Sequence, residues 1–182
     1  IVDGMIDLKL KNDLRVQLDN ATISVESQSL LESKQLAGIK NSLTQLQFKK
    51  GTIHAGNMDI DLYNILYYGQ SGQFDAGSIN LRNREKNMDV ALQNVKVKKM
   101  QVDEVSGNLY AEGGRWEKGD VKINSTGGGK EGIGYSIWLK DVQGSNTLIN
   151  GLFNGQSIST KLNSISFARL EKKEDSKLSV DG

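Results

Sequence analysis

Apolar and polar residues alternate along most of this chain, and the alternation repeatedly changes parity. The clearest example is the segment VKVKKMQVDEV. Val95 and Val97 occupy odd positions in it, whereas Met100 and Val102 occupy even positions, with two lysines between the pairs. Because successive side chains of a strand point to opposite faces, a period of two predicts β-strands. Each change of parity predicts a break or bulge, where the chain bends and turns its apolar side back to the same interior.

Similar alternating runs recur at spacings of roughly 7 to 15 residues, which is typical of an all-β protein. Residues that favour turns separate the runs, among them Asp19-Asn20, Gly56-Asn57 and Gly113-Gly114. We therefore predict an all-β fold, an elongated, curved antiparallel sheet built as a solenoid-like stack of similar units. The runs begin at Leu14, Ala21, Met58, Phe74, Met88, Leu109, Val121, Ile133 and Ile158.

One stretch departs from this pattern. Leu36, Ile39, Leu43 and Leu46 are spaced i, i+3, i+7 and i+10, which fits one face of a helix. The spacing is compatible with one short helix near residues 29–43 as well as with strand, and both alternatives stay open.

Composition narrows the functional classes. The chain has 182 residues, with 23 Lys+Arg and 22 Asp+Glu, for a formal net charge of +1. Without a basic excess, no nucleic-acid partner is predicted. Proline and cysteine are both absent from the sequence. Missing prolines suit central strands, which use every backbone N–H, and missing cysteines exclude disulfides and thiolate sites. Because the alternation is already under way at the first residue, we expect a single domain, 1–182, excised from a longer chain.

Candidate catalytic groups are few. His54 is the only histidine, so any Ser-His-Asp arrangement would depend on it, and an exposed histidine at a strand edge is the simpler expectation. Asp59 and Asp61 share one face of a strand, where a solvated outer surface explains them better than an acid pair. The glycine-rich stretch STGGGKEGIGYS matches neither phosphate-binding fingerprint: Glu131 follows Lys130 where a Walker loop needs Ser or Thr, and the dinucleotide pattern lacks its last glycine. We predict no catalytic residue, no metal, no cofactor and no enzymatic activity.

The segment VALQNVKVKKMQVDEVSGNLYAEGGRWEKGDVKIN combines these features in a recurring order. An alternating strand, a short break, apolar-x-apolar, Val-x-Gly-x-Leu, a glycine turn and another alternating strand follow one another. This order resembles the AsmA and TamB-like proteins of diderm bacterial envelopes. The segments FKKGTIHAGNMDIDLYNI and ISTKLNSISFARLEKKEDSKLSVDG fit the same pattern. The resemblance covers most of the chain but includes no short diagnostic motif.

The resemblance implies a taco-shaped β-groove with an apolar concave face and a polar convex face. It further implies a periplasmic protein anchored in the inner membrane by a part outside this segment. Its partners would be phospholipid acyl chains moving between the two membranes, and outer-membrane assembly proteins. The residues expected to line the groove are Met88, Val90, Leu92, Val95, Val97, Met100, Val102, Leu109, Val121 and Ile123.

A second interpretation needs no ligand. The apolar faces would then form the dry core of a closed β-solenoid or β-sandwich with a structural or adhesive role at a surface. An open apolar cleft would favour the groove, and an interior filled by side chains would favour the closed core.

Overall fold

The computed structural model describes residues 3–9, 14–26, 42–102, 108–125, 136–153, 155–172 and 179–181. Nearly all of these residues lie in strands, which confirms the predicted all-β, curved sheet. Of the predicted helix, 29–41 lies outside the described residues, and Leu43 is the first residue of a strand. The strands are β1 (Gly4–Lys9), β2 (Leu14–Val25), β3 (Leu43–Ala55), β4 (Met58–Tyr68), β5 (Phe74–Asn83), β6 (Met88–Val97), β7 (Lys99–Val102), β8 (Leu109–Glu112), β9 (Arg115–Trp116), β10 (Lys118–Ser125), β11 (Ile137–Phe153), β12 (Gln156–Lys172) and β13 (Ser179–Asp181).

All the described strands belong to one sheet, in the order β1-β2-β3-β4-β5-β6-β10-β11-β12-β13. The short strands β7, β8 and β9 continue β6 and β10 end to end, along the strand direction, and pair with each other, with β6 or with β11. One junction differs from the predicted antiparallel arrangement, because β8, β9 and β10 each pair with β11 in parallel. A parallel pair needs a crossover connection rather than a hairpin, and the alternating pattern of the strands carries no information about that choice.

The strands change parity along the same line across the sheet. In β6, two residues rather than one separate Leu92 from Val95, and the paired residues Ile79 and Ala76 of β5 are separated in the same way. Because both strands of each neighbouring pair carry one extra residue at this line, the pairing register is the same on either side of it. We call this line the first corner. Its flanking pairs are Leu18 and Ala21, Phe48 and Gly51, Leu62 and Ile65, Ala76 and Ile79, Leu92 and Val95, Trp116 and Gly119, Gly144 and Thr147, and Leu162 and Ile165.

A second line of parity changes, which we call the second corner, crosses the strands nearer the first residue of β11. Its flanking pairs are Val97 and Met100, Ala111 and Gly114, Leu139 and Val142, and Phe167 and Leu170. The two corners divide the sheet into three panels. The first panel contains the β6 residues Met88–Leu92, the middle panel contains Val95–Val97, and the third panel contains β7.

Residues with left-handed backbone occupy both corners. Asn20, Asn64, Asn94 and Asn146 have φ between 47° and 54° at the first corner. At the second corner, Gly113 has φ 68° and Asp141 has φ 52°. Asparagine, aspartate and glycine tolerate this conformation better than other residues. The corners therefore depend on residue type as well as on the extra residue in each strand.

Side chains from both sides of the first corner meet on its inner face. The buried cluster consists of Leu18, Ala21, Phe48, Ile65, Phe74, Ala76 and Val95, each 8% exposed or less. All of them except Leu18 belong to the middle panel. The core is therefore densest in the middle panel, where the bend brings neighbouring panels close to it.

Candidate functional site

The structure distributes the predicted groove-lining residues over all three panels. Met88, Val90, Leu92, Val121 and Ile123 lie on the first panel, where Val121 pairs with Val90 and Ile123 pairs with Met88. These five side chains are half-buried.

The other predicted lining residues lie beyond the first corner. Val95 is 6% exposed in the buried cluster, and Val97 and Met100 pack against it. The parity change at Lys98 and Lys99 thus returns Met100 to the interior that Val97 faces, and both lysines are exposed. Leu109 is half-buried on the third panel. Val102 pairs with Leu109 through the backbone, and its side chain lies outside the described part of the chain.

The inner side of the first panel is apolar from β3 to β11. One transverse row joins aliphatic side chains through successive pairs of the sheet, and every member is half-buried. The row consists of Ile53, Ile60, Leu81, Val90, Val121 and Ile149. No described side chain at an inward position of this panel is charged; the polar ones there are Asn83, Thr147, Gln156 and Thr160.

Trp116 lies at the first corner and fills space left by two glycines. Its Nε1 donates a hydrogen bond of 2.9 Å to Thr147 Oγ1, across the corner. A Cβ on Gly144 would overlap the indole ring, and one on Gly119 would lie 2.9 Å from the Thr147 side chain. Trp116 also contacts the buried cluster. Both glycines are needed here for close approach rather than for flexibility.

His54 lies on the outer side of the first panel. The predicted strand-edge position is wrong, since β3 pairs with β2 on one side and with β4 on the other. His54 Nδ1 is 2.7 Å from Asp59 Oδ1, and Arg84 donates to Asp59 Oδ2. Hydrogen bonds from His54 and Arg84 hold the pKa of Asp59 below its ordinary value.

This outer face forms a shallow cleft of about 410 Å³ that contains His54, Asp59 and Asp61. Thr52 Oγ1 donates to Asp61 Oδ1 at 3.0 Å rather than to the imidazole. The buried Oδ1 of Asp120, in the same cleft, has no hydrogen-bond partner among the described residues. A nucleophile hydroxyl bonded to the histidine is what nucleophilic catalysis would require. Within the described ranges, no group of three or more His, Asp or Glu side chains is placed to hold a metal ion. The arrangement is that of a solvated ion-pair network.

Two aromatic residues lie on the outer side of the third panel. Tyr110 and Trp138 are direct neighbours on the parallel strands β8 and β11. They alternate with the inward-facing Ala111 and Leu139. The sequence analysis gave neither residue a binding role. The only indication in the sequence was that both residues occupy outward-facing positions of their strands, where polar residues are usual.

Comparison with known proteins does not extend this description. No protein-family model, no curated protein and no solved structure matches the chain. Among the helical residues that the structure describes, none forms a helix long and apolar enough to cross a membrane.

Proposed function

We propose that this chain is a segment of a non-enzymatic cell-envelope protein whose inner apolar surface shields lipid acyl chains. The observation that carries the proposal is the uncharged, half-buried inner side of the first panel. Apolar side chains in a closed core are normally buried, whereas these remain partly accessible. A bound acyl chain would cover them and gain hydrophobic free energy at about 25 cal/mol per Å².

The dimensions of the panel suit this role. Its inner face extends over the eight strands from β2 to β12 in the sheet order. At about 4.8 Å between strands, this is a surface of roughly 34 Å. The hydrocarbon core of a bilayer is about 30 Å thick and holds two leaflets, so one acyl chain fits along the surface with room to spare.

Charge placement supports the same conclusion. An acyl chain requires a surface free of ionised groups, because an unpaired charge beside it would be desolvated. The described charged residues of this panel lie at outward positions instead, as Asp59, Arg82 and Lys122 do. The polar outer face would remain in water while the inner face holds lipid.

The setting follows from the resemblance to AsmA and TamB-like proteins, and it belongs to the proposal. The protein would act in the periplasm of a diderm bacterium, with an inner-membrane anchor outside this segment. Its partners would be phospholipids in transit and proteins of outer-membrane assembly.

Mass spectrometry of a lipid extract from the purified chain tests the proposal. We expect phospholipid to copurify with the wild type and with Gln93→Lys, an exposed position on the same strand as Val90. Val90→Lys would place a charge among the inward aliphatic side chains and should abolish copurification. Val90→Thr keeps the volume with less disruption and should reduce lipid without unfolding the sheet, as checked by far-UV circular dichroism. Absence of lipid from the wild type, or equal lipid in Val90→Lys and Gln93→Lys, would overturn the proposal.

A closed structural or adhesive β-domain is the second candidate. The filled middle panel favours it, because Ile65 and Ala21 are at most 2% exposed. The two candidates predict different responses to added lipid. A groove would show slowed amide hydrogen exchange along the first panel after phosphatidylethanolamine is added, whereas a dry core would show none.

A further inference from the structure

The outer face of the third panel presents a second kind of surface, on the side of the sheet opposite the proposed lipid groove. Tyr110 and Trp138 form a two-ring platform there, and both rings are half-buried. A cleft of about 510 Å³ opens over them. Its lining consists of Tyr110, Trp138, Leu139, Lys140, Ala168 and Arg169.

Each ring is held in place by a carboxylate that is itself held by a cation. Tyr110 Oη donates to Glu112 Oε2 at 3.0 Å, and Lys140 Nζ donates to Glu112 Oε1 at 3.2 Å. Trp138 Nε1 donates to Glu171 Oε1 at 3.0 Å, and Arg169 donates to Glu171 Oε2 at 2.6 Å. The polar edges of both rings are therefore occupied, and the ring faces are left for contact with a ligand.

The electrostatics agree with this geometry. The Glu112 carboxylate beside Tyr110 raises the pKa of the phenol, and the Lys140 ammonium holds the pKa of Glu112 below its ordinary value. The Lys140–Glu112 pair is thus charged at neutral pH, and the Tyr110 hydroxyl stays protonated. A rigid, preorganised platform loses little entropy when it binds a ligand.

The chemistry of the cleft narrows the class of ligand. A cationic ligand would be repelled by Lys140 and Arg169, whose side chains are 53% and 60% exposed. An anionic ligand would have to compete with Glu112 and Glu171 for the same cations. A hydroxyl group both donates and accepts hydrogen bonds, so it suits a rim that offers cationic donors and carboxylate acceptors side by side.

A membrane surface fits the platform less well. Tryptophan and tyrosine at membrane interfaces keep an apolar ring in lipid and a polar tip in the headgroup region. Here both polar tips are hydrogen-bonded within the protein, and the rings lie in a cleft on the outer face of the sheet. A ligand with an apolar face and hydroxyl groups around its edge would stack on the two rings and hydrogen-bond to the charged side chains beside them.

We propose that Tyr110 and Trp138 form a carbohydrate-binding platform. The C–H face of a sugar ring stacks on it, and the sugar's hydroxyl groups hydrogen-bond to the side chains of Lys140 and Arg169. The small side chain of Ala168, which is exposed, leaves the cleft open on β12. The site is independent of the acyl-chain proposal, because it lies on the other face of the sheet.

Fluorescence titration with three soluble trisaccharides, chitotriose, cellotriose and maltotriose, tests the proposal. We expect at least one of them to give a saturable change in tryptophan emission below about 10 mM, the range of weak specific binding. Trp138→Ala should weaken binding at least tenfold, and Trp138→Phe, which keeps a ring face, should retain most of it. Because Trp138→Ala removes the reporter, its affinity is measured by saturation-transfer NMR on the trisaccharide.

Ala168→Leu tests the cleft without altering either ring. Its side chain would occupy the space over the platform and should abolish binding while leaving the urea midpoint unchanged. Lys122→Ala is the matched control for Lys140→Ala, since the two lysines are 56% and 53% exposed. Only Lys140→Ala should weaken binding.

Three results would overturn the proposal. They are no saturable response to any trisaccharide, equal affinity of Ala168→Leu and the wild type, and Trp138-dependent binding to phosphatidylethanolamine and phosphatidylglycerol vesicles without trisaccharide binding. The last result would identify the platform as a membrane contact.

Discussion

Replacement of Gly144 by alanine should destabilise the protein through Trp116. A Cβ at this position would overlap the indole ring, which cannot retreat without leaving the buried cluster. Overpacking of a core costs about 1–3 kcal/mol, and loss of the Trp116–Thr147 hydrogen bond would add about 1 kcal/mol. Alanine is otherwise favoured over glycine in a strand by about 0.5–1 kcal/mol. We therefore expect a net loss of about 2–3 kcal/mol in the free energy of unfolding.

The matched control is Gly114→Ala, on the same inner side. A Cβ at Gly114 would lie 3.5 and 3.7 Å from the two Cγ atoms of Val142, which is ordinary van der Waals contact. This change should be neutral or stabilise by about 0.5 kcal/mol, since only the favourable backbone effect remains.

A double-mutant cycle isolates the cause. Trp116→Leu removes the indole, so Gly144→Ala should cost close to nothing in that background, and the coupling energy should be about 2 kcal/mol. Urea unfolding is followed by far-UV circular dichroism, because half of the cycle lacks Trp116 and its fluorescence. If Gly144→Ala costs the same in both backgrounds, the overlap with Trp116 is not the reason for the glycine.

Three further predictions concern the core, the second corner and the polar face. Ile65→Ala should lower the free energy of unfolding by about 3–4 kcal/mol, because Ile65 is 2% exposed; a loss below about 1 kcal/mol in urea unfolding would show that the middle panel is loosely packed. Gly113→Ala should cost about 1–2 kcal/mol, because its φ is 68° and a Cβ would lie 2.6 Å from Lys98 Cδ; recovery in Gly113→Asn, measured by thermal unfolding, would separate backbone strain from crowding. The pKa of Asp59 is lowered in the folded state by His54 and Arg84, so its carboxylate stabilises the fold above its ordinary pKa of 3.8 and this contribution is lost as the pH falls through the lower folded-state value. Asp59→Asn should therefore lose less stability than the wild type between about pH 5 and about pH 2, and parallel curves of unfolding free energy against pH would contradict the assignment.

The candidate sites differ in how far the sequence could predict them. The apolar lining was predictable, because an inward-facing residue of a strand is marked by its parity and its hydrophobicity. Which of those residues are buried in the middle panel was not predictable, since Val95 and Val90 are equivalent in pattern and differ only in their distance from the corner. The aromatic platform was missed because Tyr110 and Trp138 are separated by more than 25 residues and are brought together by the parallel pairing of β8 and β11.

The alternation by itself determined that the chain is all-β, which side chains face inward, and that the chain bends where the parity changes. Period, turn residues and side-chain volume are local properties, so a single strand carries them. Only the tertiary structure decided that the parity changes fall on two continuous lines, because that alignment depends on the register between strands. It also decided the parallel junction at β11, which places Trp116 against Gly144 and Tyr110 beside Trp138. Backbone hydrogen bonds decide which strands are neighbours, and the backbone is nearly the same at every residue. The residue pattern along the chain therefore does not predict the pairing.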